Sequence, residues 1–305
     1  MHAYTKPPAL RPGDTIGLIA PAGPLRKSAA QQALQNLSQL GLQGVFGEYV
    51  HQREGYLAGR DSDRLRDLHR FFADPQIAGI WCLRGGYGSM RLLPQLDYEL
   101  IRRHPKVLIG YSDITALLLA VYRHCGLVCF HGPLAGAPLT DFSTRYWRAL
   151  LMPSAPSPVE LGTGMPPTPN PREVLGPLIG GNLSLLAALA GGPYAPNYKD
   201  RIVFLEDIGE KPYRIDRLLT QLRMNGLGRA RAILLGQFTD CEEADKNRSW
   251  PLHQTLRDRL EPLGLPLYFD LPFGHVPDQW TLPLGIPLRL SPNGRIELAE
   301  SAVDL

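Results

Sequence analysis

The stretch Lys106-Val-Leu-Ile-Gly-Tyr-Ser112-Asp-Ile-Thr-Ala-Leu-Leu-Leu-Ala-Val-Tyr122 constrains the fold of this chain more than any other. A short β-branched, apolar run reaches Gly110, and an apolar helical pattern starts directly after Ser112. This predicts a strand that turns sharply into a helix. On such a turn a serine hydroxyl projects past the sheet edge. The first helical N–H groups and the positive end of the helix dipole then face the charge that an attacked carbonyl develops. The same residues serve equally well as a plain helix cap, through Ser112 or Asp113.

The strand-then-helix rhythm recurs. Thr15 to Ala20 reads as a strand, followed by Pro21-Ala-Gly-Pro24 and a helix from about Lys27 to Leu40 with Ala30, Leu34, Leu37 and Leu40 on one face. Asp61 to Phe72 reads as an amphipathic helix closed by Asp74-Pro75, Ile77 to Leu83 as a buried strand, and Leu127 to Phe130 as another. This alternation implies right-handed crossovers and a mostly parallel sheet covered on both faces. Ligands of such sheets bind beyond the carboxyl ends of the strands. Pro21 to Pro24, Arg84 to Gly88, Tyr111 to Asp113 and His131-Gly-Pro133 all fall at that edge.

From Met152 to Pro171 prolines replace apolar periodicity, which marks a linker. It divides the chain into a domain of residues 1–152, a linker of 153–172 and a domain of 173–305. In the latter, Leu178 to Leu189 passes from a glycine turn into a helix, and Arg201 to Glu206 is a strand. Ile215, Leu218, Leu219 and Leu222 mark the buried face of a helix, and Ala232 to Phe238 is a strand. A helix near His253 to Leu263 precedes a strand from Pro266 to Phe273, and Ser291-Pro-Asn-Gly294 turns a hairpin. The second domain is thus mixed α and β.

The formal net charge of +3, with acids and bases interspersed, gives no electrostatic case for a nucleic-acid partner. The start lacks the apolar run of a secretory signal, and no later run reaches membrane-spanning length, so a cytoplasmic protein is expected. Cys82, Cys125, Cys129 and Cys241 include no Cys-x-x-Cys pair. His124, Cys125, Cys129 and His131 are metal-ligand types, but they straddle a helix end and a buried strand, which suits packing better than a tetrahedral site. No metal or cofactor is therefore expected.

Arg84-Gly-Gly-Tyr-Gly88 follows a strand, and its glycines let backbone N–H groups approach a ligand, for an anion or an oxyanion hole, or simply make a tight turn. It is neither a dinucleotide fingerprint nor a phosphate loop. A serine nucleophile needs a base and an acid to orient it. His131 and His275 both follow strands beside glycine, and Glu206 ends an apolar strand where it would face the sheet edge. Glu206 could instead be a solvated strand end or an ion-pair partner of Arg214 or Arg217.

Taken in order, Arg84-Gly-Gly-Tyr-Gly88, Gly110-Tyr-Ser-Asp-Ile-Thr115, His131-Gly-Pro133, Gly180-Gly-Asn-Leu183, Phe204-Leu-Glu-Asp207 and Phe273-Gly-His275 resemble the LD-carboxypeptidases. That group of serine peptidases also contains the microcin C self-immunity peptidases. The resemblance runs from Arg11 to His275. It implies an α/β fold, with a Rossmann/flavodoxin-like parallel-sheet N-terminal domain and a mixed α/β C-terminal domain of swivelling β/β/α type. It further implies Ser112 as nucleophile, His275 as base, Glu206 as its orienting acid, and the amides of Asp113 and Gly86 as oxyanion donors, in a cleft between domains. His131 becomes the second-choice base or a supporting group.

The implied reaction is release of the terminal D-alanine of a murein tetrapeptide, or a related L,D-peptide, during cell-wall recycling, by a homodimer. Arg84, Tyr87, His131, Asn182 and Arg214 are the candidates for substrate binding, with Arg84 and Arg214 nominated for the terminal carboxylate. Two alternatives stand beside this. One is hydrolysis of peptidyl or aminoacyl nucleotide antibiotics, which stacking aromatics would favour. The other is a non-catalytic module that binds an anionic ligand.

Overall fold

The computed structural model describes residues 4–153, 159–164, 172–243 and 249–305. The chain divides into two units. The first takes the described residues up to 153 with Pro277–Leu284 and Ser301–Leu305, and the second takes residues 159–276 with Gly285–Glu300. Much of the expected linker, at 154–158 and 165–171, lies outside the described residues. Within its span, residues 160–163 form a strand. Residues 277–284 and 301–305 belong to the first unit, where the sequence reading gave all of 173–305 to the second. The cause is hydrogen bonding of Leu282–Leu284 to Cys129–His131 and of Asp304 to Pro7 and Ala9, which no local pattern announces.

In the first unit the elements are β1 (Thr15–Ile19), α1 (Ala29–Leu40), β2 (Gln43–Phe46), α2 (Asp61–Ala73), β3 (Ile77–Cys82), α3 (Tyr98–Arg103), β4 (Val107–Gly110), α4 (Thr115–Cys125), β5 (Phe130–His131) and α5 (Asp141–Leu151). The five strands are parallel in the order 2-1-3-4-5. This is the flavodoxin-like order, whose switch point falls between β1 and β3. The strands are apolar because both sheet faces are covered: every residue of β4 is buried, and Trp81 on β3 is fully buried with its indole N–H donating to the Pro133 carbonyl at 2.6 Å.

The helices follow local chemistry, with one exception. Asp61 and Asp63 occupy the first turn of α2, and Asp97 and Thr140 side chains cap α3 and α5. The exception is the face of α1, which buries Ala29, Ala33, Asn36, Leu37 and Leu40, whereas Leu34 is 46% exposed and Ala30 is only partly covered. The helix is turned so that the buried Asn36 amide donates to the carbonyls of Ala135 and Ala137, at 2.9 and 2.7 Å. A polar residue was thus drawn inward by partners about 100 positions away. The expected strand at Leu127 pairs only from Phe130, with Leu127 making an isolated bridge to Thr5.

The second unit contains β6 (Glu160–Thr163), β7 (Val174–Asn182), α6 (Leu183–Leu189), β8 (Ile202–Ile208), α7 (Pro212–Met224), β9 (Ala232–Thr239), α8 (Leu252–Leu260) and β10 (Leu267–Tyr268). The chain then gives β11 (Leu282–Pro283), antiparallel to β5 in the first sheet, before β12 (Pro287–Leu290) and β13 (Arg295–Leu298) complete the second. The order is 10-9-8-7-12-13-6, parallel from β7 to β10 and antiparallel elsewhere. The mixed α/β class and the hairpin at 291–294 match the sequence reading.

Gly180 and Gly181, read from sequence as a turn, are strand residues. A Cβ on Gly180 would stand 2.0 Å from the Phe204 carbonyl oxygen, so glycine is what lets β7 and β8 approach.

Candidate active site

In the first unit β4 ends at Gly110, Tyr111 is extended, and Ser112 opens a 3-10 turn that runs into α4. Ser112 has φ 63°, one of four described non-glycine residues in the left-handed region. An L-residue there carries a steric penalty that persists only when its surroundings impose it. Here the surroundings are glycines. A Cβ on Gly85 would lie 2.9 Å from the serine Cβ and 3.1 Å from its Oγ. The Gly23 N–H donates to the Gly85 carbonyl at 3.0 Å, linking the loops after β1 and β3.

Asp113 holds the turn rather than facing solvent. Its buried carboxylate accepts from the Ser89 N–H at 2.8 Å and from the Gly88 N–H, and its carbonyl accepts from Ser89 Oγ. Burial pushes its carboxyl above the ordinary range, and these hydrogen bonds counteract part of the rise. Arg64 completes the brace. Fully buried, its guanidinium donates to the carbonyls of Pro21 and Gly88 and pairs with Asp61. Arg64 and Ser89 were missed because each sits in a pattern that reads as a solvated helix face or a turn. Only tertiary burial distinguishes them.

In the second unit His275 Nδ1 lies 2.8 Å from Glu206 Oε2, with Glu206 completely buried. Three features set this distance. The β8–β9 register shifts beside Glu206, so Gly236 and Gln237 together oppose it. Gln237 bridges to Gly274, and Thr239 Oγ1 donates to the His275 carbonyl at 2.9 Å. Gly274 has φ 111°, and a Cβ there would meet Glu206 Cβ at 3.0 Å. A carboxylate at Nδ1 fixes the orientation of an imidazole ring.

The remaining candidates separate by their surroundings. Asn182 caps α6 and donates to Asp207 at 3.0 Å, supporting the strand end beside Glu206. Asp207 also accepts from Ser184, and burial raises its carboxyl above the usual range. His131 is buried on β5 in register with Gly110, its ring edge-on to Tyr111 at 5.7 Å. Tyr87 is exposed and packs edge-on against exposed Tyr56 at 5.6 Å. Arg84 donates to the Pro24 carbonyl, whereas Arg214 is engaged by Glu210 and by the Tyr213 hydroxyl and ring.

Of the metal-ligand types, His124 packs on the Tyr98 ring and Cys125 Sγ donates to the Tyr98 carbonyl. Among the described residues no group of three or more such side chains could hold a metal ion, and no helix is long and apolar enough to cross a membrane.

Comparison with known proteins bears on this geometry. Residues 16–132 match the family model of the LD-carboxypeptidase N-terminal domain, and residues 175–290 that of the C-terminal domain. A probable murein peptide carboxypeptidase of Bacillus subtilis is 38% identical over 98% of this chain and 95% of its own length. The solved structure of a muramoyltetrapeptide carboxypeptidase from Oxalobacter formigenes superposes with a TM-score of 0.84 at 32% identity, covering 95% of this chain and 100% of that one. The microcin C7 self-immunity protein MccF, solved in complex with aspartyl sulfamoyl adenosine, superposes with a TM-score of 0.88 at 26% identity, over 98% and 100% of the two chains. With both of its domain models matched in sequence order and its relatives aligned along almost the whole length, the chain belongs to the LD-carboxypeptidase family.

Proposed function

We propose that this enzyme is a serine carboxypeptidase that removes the terminal D-alanine from murein tetrapeptides by hydrolysing the bond between an L-centre and D-alanine. The observation that carries the reading is Ser112, a non-glycine residue held at φ 63° on the strand-to-helix turn beside Gly85. Backbone strain of this kind concentrates at functional positions. Ser112 Oγ attacks the scissile carbonyl, and His275 Nε2 accepts its proton and returns it to the departing D-alanine amine. Glu206 holds the imidazole through Nδ1. The amides of Asp113 and Gly86 receive the oxyanion. Water deprotonated by His275 then cleaves the acyl-enzyme.

The four cysteines suit a reducing compartment, being buried and free, with burial raising the thiols of Cys82, Cys125, Cys129 and Cys241 above their ordinary value. We accordingly place the enzyme in the cytoplasm; the family resemblance adds a homodimer, whose mass light scattering would report. Incubating the protein with a tetrapeptide ending in D-alanine, beside the isomer ending in L-alanine, tests the reaction. Release of alanine from the first alone is the expected result, and release from neither refutes the assignment.

One observation favours a second reading. The exposed Tyr56–Tyr87 pair adjoins the Arg84 to Gly88 turn and offers ring faces to a nucleobase, as hydrolysis of an aminoacyl nucleotide would use. Turnover of an aminoacyl sulfamoyl nucleoside in the same assay separates the two.

A further inference from the structure

A carboxypeptidase differs from an endopeptidase in reading a free carboxylate one residue beyond the scissile bond. One residue is ~3.8 Å of chain. The cation that reads it must therefore stand beside the nucleophile's turn, and no internal acid can already occupy it.

Most arginines near acids fail the second condition: Arg64 and Arg91 share Asp61, Arg214 pairs with Glu210, and Arg289 pairs with Glu173 and Glu297. Arg84 meets both. Its guanidinium is steadied by the Pro24 carbonyl and makes no ion pair among the described residues. A Cβ on Gly23 would lie 3.7 Å from Arg84 Cζ and 3.0 Å from the Gly85 carbonyl oxygen, and Gly85 itself packs on Ser112. The guanidinium, the glycine turn and the serine therefore form one packed patch within the first unit.

Two further arginines, Arg26 and Arg53, also lack a carboxylate partner among the described residues. Burial and then the like charges of Arg26 and Arg53 hold the Arg84 guanidinium below its ordinary pKa. Three mutually repelling cations around a half-buried position are an unsatisfied arrangement in the protein alone, and an arriving anion relieves it.

We propose that Arg84 receives the free C-terminal carboxylate of the substrate through its forked N–H groups, with Arg26 and Arg53 adding positive field. The site then accepts a peptide acid and discriminates against the same peptide blocked at its terminus. This rests on the serine carboxypeptidase reading above and names the part of the site that makes it an exopeptidase. Arg214, its rival by sequence, already has Glu210 as counter-charge.

The test pairs the D-alanine tetrapeptide with the same tetrapeptide ending in D-alanine amide. Each is read as kcat/KM or, for the amide, as a competitive inhibition constant. The native enzyme should favour the acid by about 100-fold, the scale of a lost charge-assisted bidentate contact. Arg84→Gln should lose about 100-fold on the acid and no more than a few-fold on the amide, collapsing the preference. A native-like circular dichroism spectrum and melting temperature of Arg84→Gln check its folding. Arg84→Lys should recover part of the loss, because an ammonium keeps the charge without the fork. Replacing Arg26 and Arg53 together by glutamine should raise KM for the acid several-fold at low salt and less at high salt.

Arg84→Gln that lowers acid and amide by the same factor, or neither, overturns the proposal while the peptidase reading stands. A native enzyme that cleaves neither peptide, releasing neither D-alanine nor D-alanine amide, removes both.

Discussion

The Ser112 turn and the Glu206–His275 pair are held by different means. Around Ser112 the geometry is imposed by a short local segment, β4 running into α4, pressed by glycine backbone from the loops after β1 and β3. Around Glu206 nothing local suffices. The acid and the histidine are 69 positions apart, and their 2.8 Å contact depends on a register shift between β8 and β9 and on a bridge from Gln237 to Gly274. The first region stores strain in one residue, whereas the second distributes its precision over several strand contacts. A reactive group on a tight turn can be written into a dozen consecutive residues. A contact between residues so far apart in the chain is a property of the sheet.

The sharpest way to break this comparison is Ser112. Ser112→Ala and Ser112→Gly should both lose D-alanine release by about 10⁴-fold or more, read by mass, with unchanged circular dichroism. Appreciable residual turnover removes the nucleophile assignment. The strain at φ 63° makes Ser112→Gly the more stable of the two by about 1 kcal/mol in urea melts. Equal stabilities would mean that the glycine turn imposes no strain.

Glu206→Gln examines the other region. The amide can keep the contact to His275 Nδ1 but favours the wrong tautomer, so kcat should fall by about 10³ to 10⁴ with KM little changed. A drop of less than tenfold would make Glu206 a packing residue.

A pair of methyl additions contrasts the two regions directly. In Gly85→Ala the new Cβ pushes the serine side chain at 2.9 Å, and kcat/KM should fall about 100-fold through misplacement, with little loss of stability. In Gly274→Ala an L-residue at φ 111° also meets Glu206, so the rate falls and stability falls with it, by about 2 kcal/mol. Thermal melts beside kinetics distinguish them, and identical profiles would dissolve the contrast.

The smallest effect concerns Asp113. Its folded-state carboxyl is raised, chiefly by burial, so the folded protein binds that proton more tightly than the unfolded chain. The stability it contributes is present below the ordinary carboxylate value of 3.8 and is lost as pH rises through the raised value. The melting temperature of the native protein, relative to Asp113→Asn, should therefore decline with rising pH across that window and level off above it. A difference independent of pH contradicts this.

Ser112, Glu206 and His275 were all legible as candidates, because each lies at the end of an apolar run or beside glycine. Legibility stopped where a residue's role depends on what surrounds it. Arg64 lies in an amphipathic helix pattern yet is buried and braces two loops; Asn36 turned α1 away from its most apolar face; Asn182, a candidate for substrate binding by sequence, also caps α6. The glycines at 180 and 181 looked like a turn because glycine permits turns, and stand in a strand because it also permits close backbone approach.

By itself, the sequence determined the alternating α/β class, the strand-to-helix turn at Ser112 and the hairpin at 291–294, since periodicity and turn chemistry act over a few residues. Tertiary structure alone decided that Glu206 and His275 meet, that residues 277–284 and 301–305 join the first unit, and that Arg84, unlike Arg214, carries a charge that no acid among the described residues answers. Those outcomes are set by strand register, burial and counter-charge, which are properties of residues far apart in the chain.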